Sequence, residues 1–76
     1  MNYSIDTVLE IVEDAPELVR VFFTVETEEM EGRRRDNIEI TCVWNTCLAS
    51  VEFAPHEDDI MSAIKSQEGN WVREYD

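Results

Sequence analysis

Polar and apolar positions alternate with two different periods along this chain, and each change of period marks an element. Over residues 4–14 (SIDTVLEIVED) a helical projection gathers Ile5, Val8, Leu9, Ile11 and Val12 on one side. Asp6, Thr7, Glu10, Glu13 and Asp14 fall on the other, which predicts an amphipathic helix. Ser4 is placed to cap it, and Asp6 sits in the first turn, where the helix dipole favours an acid. Ala15-Pro16 ends it, because the residue before proline avoids helical dihedrals. A strand is the competing reading, since Ile5, Thr7, Val8, Ile11 and Val12 are β-branched.

From residue 18 the period drops to two. Val19, Val21, Phe23 and Val25 share one face of a strand over 18–28, with Arg20, Phe22, Thr24, Glu26 and Glu28 on the other. Residues 29–37 (EMEGRRRDN) are expected to be a polar connector. Ile38, Ile40, Cys42 and Trp44 then alternate with Glu39, Thr41 and Val43, and beyond Asn45-Thr46 Cys47, Ala49, Val51 and Phe53 alternate with Leu48, Ser50 and Glu52. A two-residue turn at 45–46 pairs Trp44 with Cys47 and Ile38 with Phe53, and sets Glu39 opposite Glu52. Thr46 is a poor residue for the positive φ of such a turn, so a longer loop is the alternative.

Ala54-Pro55 opens a helix whose first turn holds Glu57, Asp58 and Asp59. Ile60, Ala63 and Ile64 form its inner stripe, with Met61 at the edge, and Gly69 is a natural stop. Residues 70–76 suit a short edge strand. The predicted fold is α+β in two layers. A three-stranded antiparallel meander carries a helix before it and a helix after it on one face, with a short C-terminal strand. The 76 residues make one domain, which buries only about 60% of its unfolded surface.

Charge changes the picture most. Eighteen Asp and Glu oppose six Lys and Arg, for a formal net charge of −12. Nucleic acid and anionic membrane are repelled, and a basic surface is attracted within about a Debye length. A hydrophobic fraction of 43% is too high for a disordered acidic tail. No apolar run approaches the roughly 20 residues of a membrane span, and residues 1–6 do not read as a secretory leader, so the expected location is the cytoplasm.

No catalytic motif stands out. The chain has two glycines, no phosphate loop, and no serine or cysteine nucleophile with a base in view, so we expect no enzyme and no cofactor. Carboxylate pairs are unavoidable among 18 acids and carry no catalytic weight. Cys42, Cys47 and His56 match no zinc-finger spacing, and the acids at 57–59 lack the spacing of a calcium loop, so no metal site is expected. Both cysteines are read as small buried hydrophobes.

What the sequence favours is binding through an acidic surface. Glu26, Glu28, Glu39 and Glu52 on the open sheet face are the candidate contacts. Glu10, Glu13, Asp14, Glu57, Asp58 and Asp59 assist, and Arg33, Arg34 and Arg35 orient the partner from the connector. The length, the acid runs EIVEDAPE and VETEEME and the helix after APHEDD resemble small acidic phage-encoded inhibitors, among them anti-CRISPR proteins and DNA mimics. That resemblance implies an inhibitor, monomeric or homodimeric, that fills the basic nucleic-acid groove of a larger protein. A different class of reading is an adaptor whose Leu18, Phe22, Val43, Leu48, Trp71 and Tyr75 form an apolar homodimer patch.

Overall fold

The computed structural model describes residues 1–8, 18–45 and 47–74. Four antiparallel strands form one sheet in the order β3-β2-β1-β4: β1 (Asn2–Val8), β2 (Leu18–Met30), β3 (Arg33–Trp44) and β4 (Val72–Glu74). Among the described residues one α-helix, α1 (Glu57–Ser66), lies between β3 and β4 in the chain and packs on one sheet face. The fold is α+β with a three-strand antiparallel meander and a short C-terminal strand, as the sequence predicts.

The composition of that meander differs from expectation. Residues 2–8 are a strand, not the start of a helix, while the rest of the predicted helix, 9–14, lies outside the described residues. Ile5 is fully buried and Thr7 is buried beside it, while Asp6 between them is exposed. That period of two, together with β-branched Ile5, Thr7 and Val8, overrides the helical stripe. β1 pairs with β2 throughout, Ile5 opposite Val21 and Thr7 opposite Val19.

The inner face collects Ile5, Val19, Val21, Phe23, Ile40 and Val43. Ile60 and Ile64 of α1 close this core with no exposed surface. A 3-10 turn at Ala54–His56 leads into the helix, whose first turn carries Glu57, Asp58 and Asp59 as expected. After α1 the chain returns to the sheet. The Trp71 indole packs on Phe23 and Tyr3, and its Nε1 donates to the Ile64 carbonyl oxygen at 2.9 Å. Gln67 Nε2 donates to the Thr7 hydroxyl at 3.0 Å, which satisfies a buried polar atom.

Two irregularities reset the sequence register. The pairing of β2 with β3 shifts between Phe22 and Phe23, so that Phe23 faces Ile40 and Phe22 faces Cys42. Thr41 is the extra residue, and its Oγ1 donates to the Phe22 carbonyl oxygen at 3.1 Å. Beyond this bulge Val43 enters the core, whereas Cys42 and Trp44 turn to the outer face, reversing the predicted assignment. The second irregularity is the loop after β3. Asn45 Oδ1 accepts from the amides of Cys47 and Ala49, Leu48 sits at φ +59°, and Trp44 bridges Ser50 instead of Cys47. The longer loop is thus the one formed.

Candidate functional site

β2 and β3 run on past the core as a two-stranded arm. Met30 pairs with Arg33 across a turn of two residues, Glu31 (φ +54°) and Gly32 (φ +78°). Positive φ at both positions is the type I′ geometry, whose twist matches that of the flanking strands, and glycine carries the second position without strain. A 13-residue strand spans about 44 Å, which explains a longest dimension of 46 Å in so small a protein. Residues 26–37 are exposed on both faces. The expected connector over 29–37 is therefore hairpin, and the three arginines lie on a strand.

The register sorts the charges. On the outer face Thr24 opposes Glu39, Glu26 opposes Asn37, Glu28 opposes Arg35 and Met30 opposes Arg33. On the inner face Thr27 opposes Asp36 and Glu29 opposes Arg34. Glu26, Glu28 and Glu39 thus share one exposed surface, as predicted, with Arg33 and Arg35 interleaved among them. Arg34 takes the other face. There its Nε lies 3.3 Å from Asp36 Oδ1, which also accepts from the Thr27 hydroxyl at 2.9 Å. Glu52 is not opposite Glu39, since residues 47–53 form no strand and their backbone meets β3 only at the Trp44–Ser50 bridge and the Val51–Val43 hydrogen bond. It is exposed in the segment after the Ser50 bridge. Glu57, Asp58 and Asp59 are exposed on α1, and Glu10, Glu13 and Asp14 lie outside the described residues.

Nearer the core the outer face is aromatic. Phe22 and Trp44 meet edge to face at 4.7 Å, beside a recess of about 380 Å³ to which Asn2, Thr41, Cys42 and Glu74 contribute. Ser4 Oγ donates to Glu74 Oε1 at 2.6 Å across this surface. Arg20 Nε and Asp6 Oδ1 pair at 2.8 Å, and the hydrogen bond and charge of Asp6 raise the Arg20 pKa. The aromatic pair escaped sequence reasoning because alternation alone puts Phe22 outside and Trp44 inside. The apolar dimer patch does not assemble as expected. Val43 is buried and Trp71 packs on the core, leaving Phe22 half-buried and Leu48 exposed, while Tyr75 lies outside the described residues.

Cys42 and Cys47 are free thiols. Cys42 is half-buried and its Sγ lies 3.6 Å from the Ser50 hydroxyl, whereas Cys47 is exposed, so the two are not both buried hydrophobes. Among the described residues no helix is long and apolar enough to cross a membrane. No protein-family model matches the chain, and neither curated proteins nor solved structures provide a significant match.

Proposed function

We propose that this chain is a non-enzymatic binding protein that occupies the basic nucleic-acid groove of a larger cytoplasmic protein and so inhibits it. The observation that carries this reading is the outer face of the arm, where Glu26, Glu28 and Glu39 stand exposed together on a projecting ribbon. Successive outward side chains on one strand lie about 6.8 Å apart, two base steps of about 3.4 Å along a nucleic-acid strand. The arm's acids Glu26, Glu28, Glu29, Glu31, Asp36 and Glu39 outnumber its arginines, so the ribbon as a whole is drawn to cations. Arg33 and Arg35 on the same face fix orientation by pairing with acids or carbonyls of the partner. The free thiols suit a reducing compartment.

The test is capture from a nuclease-treated cell lysate by immobilised protein, followed by elution with DNA. Proteins held through their nucleic-acid groove are released by competing DNA and by salt, and an E26K/E28K/E39K variant that keeps its circular dichroism captures less than about a tenth as much. Capture that is indifferent both to competing DNA and to the triple reversal overturns the reading.

A further inference from the structure

We propose that two copies of this chain associate edge to edge through β3, in an antiparallel register centred on Asn37. β3 is the outermost strand of the sheet. Which of its backbone groups face outward follows from β2. The Val25 amide donates to the Met1 carbonyl oxygen at 2.9 Å, and the Met1 amino group donates to the Val25 carbonyl oxygen at 3.2 Å. Val25 therefore turns both its backbone groups toward β1. In an antiparallel sheet the direction alternates residue by residue, so Thr24, Glu26 and Glu28 turn theirs toward β3. Their partners Glu39, Asn37 and Arg35 bond inward. Arg34, Asp36, Ile38 and Ile40 then direct N–H and C=O away from β2, and no described strand pairs with them.

The usable edge is bounded on both sides. Beyond Ile40 the Thr41 bulge interrupts it, and past that Val51 donates to the Val43 carbonyl oxygen while Ser50 bridges Trp44. At the other end Arg33 enters the turn. The open stretch from Arg34 to Ile40 has Asn37 at its middle. Pairing this stretch with itself around a two-fold axis matches Arg34 with Ile40 and Asp36 with Ile38 as hydrogen-bonded couples. It also sets Arg35 opposite Glu39 of the second copy in a non-hydrogen-bonded couple, where side chains approach most closely. Within its own chain Glu39 faces only Thr24, while Arg35 faces Glu28. Association therefore gives each Glu39 one cation, and the two-fold makes this couple twice in the dimer. Moving the centre to Asp36 would set that carboxylate against its own copy, a costly arrangement.

Net charge opposes the pairing, because each chain carries −12. Self-association therefore strengthens as salt shortens the Debye length from about 30 Å at 0.01 M to about 8 Å at 0.15 M. This is the reverse of capture of a basic partner.

Sedimentation velocity across a concentration series at both salt levels is the first measurement, with a reversible dimer of the 8.9 kDa chain expected at the higher one. R35E and E39R each weaken it about tenfold or more, because like charges then face each other at both symmetry-related couples, and R35E/E39R restores it. As a second measurement, N37C in a C42S/C47S background cross-links to itself on mild oxidation, since opposing Cα atoms at such a couple lie about 4.5 Å apart. E31C, at the turn, is the control and does not. A chain that stays monomeric throughout overturns the proposal. So does a dimer insensitive to the charge swap, equal cross-linking by E31C, or capture of another protein's strand by a monomer.

Discussion

Thr41 is the residue whose removal tests the register of the whole sheet. Deleting it joins Ile40 directly to Cys42 and leaves a regular strand. Ile38, Ile40 and Val43 still face the core, and Glu39, Cys42 and Trp44 still face outward, because the bulge is the surplus residue. The loss is one exposed hydrogen bond to the Phe22 carbonyl oxygen, about 0.5–1.5 kcal/mol. Deleting Glu39 instead has a different outcome. The strand is held at Val43 and along the arm, so Thr41 is drawn into the ladder and takes the inward place of Ile40, which is 8% exposed. Losing a buried isoleucine costs about 1.5–3 kcal/mol, and burying a hydroxyl in its place adds about 1–3. For a domain whose whole stability is on the order of 4–11 kcal/mol, that difference is large. Urea unfolding followed by fluorescence of Trp44 and Trp71 reads it directly, with about 1 M in midpoint per kcal/mol. The Thr41 deletion is expected within about 1.5 M of the parent and the Glu39 deletion well below it. Equal losses for the two deletions would refute the bulge as the device that resets the face of β3.

Three further outcomes follow from named contacts. I64A empties a fully buried position between helix and sheet and lowers unfolding free energy by about 2–5 kcal/mol in the same urea assay. W71F removes the donor to the Ile64 carbonyl and costs about 1–3 kcal/mol, whereas W44F on the outer face costs less in parallel melts. G32V places a β-branched residue at φ +78° and destabilises the arm by about 1 kcal/mol or more, seen as faster amide exchange over 26–37 with the core amides protected as before.

The elements with one buried face were legible. Val19, Val21, Phe23 and Val25 alternate cleanly, and Ile60 with Ile64 marks the inner side of α1. β1 was obscured because most of its apparent helical stripe came from residues 9–12, while Ser4–Val8 alone fits either period. The arm was invisible for a different reason. A ribbon exposed on both faces has no hydrophobic period to read, so EMEGRRRDN looks like a connector. Its one available signal was the mirror of charge about Glu31-Gly32, with Glu28 and Glu29 on one side answered by Arg35 and Arg34 on the other. The shared face of Glu26, Glu28 and Glu39 was legible from parity. The misplacement of Glu52 and Trp44 came from assuming unbroken alternation through 38–53.

Glu39 links the two proposals and sets them in opposition. As a phosphate stand-in it must be open to a partner's cation, and in the β3–β3′ pairing it is taken by Arg35 of the second copy. Glu26 lies opposite neutral Asn37 and keeps its charge available in either state, whereas Glu28 already faces Arg35. Self-association would therefore withdraw one carboxylate per chain from the binding face, while the two copies of Glu26 stay about 14 Å apart, with both β3 strands between them. The balance then turns on ionic strength and on the partner's charge. Low salt disperses the acidic chains and strengthens capture of a basic groove, while higher salt favours the self-paired form and weakens capture. E39Q separates these effects. It removes the contested charge from both equilibria, so the dimer and the captured complex should each weaken, but E26Q should weaken capture while leaving the dimer unchanged, because Glu26 lies more than a Debye length from its copy in the pair yet meets the partner's cations in the complex. A variant series in which E26Q and E39Q move both equilibria in parallel would show that one undifferentiated negative field, not the positions on the arm, governs what this chain binds.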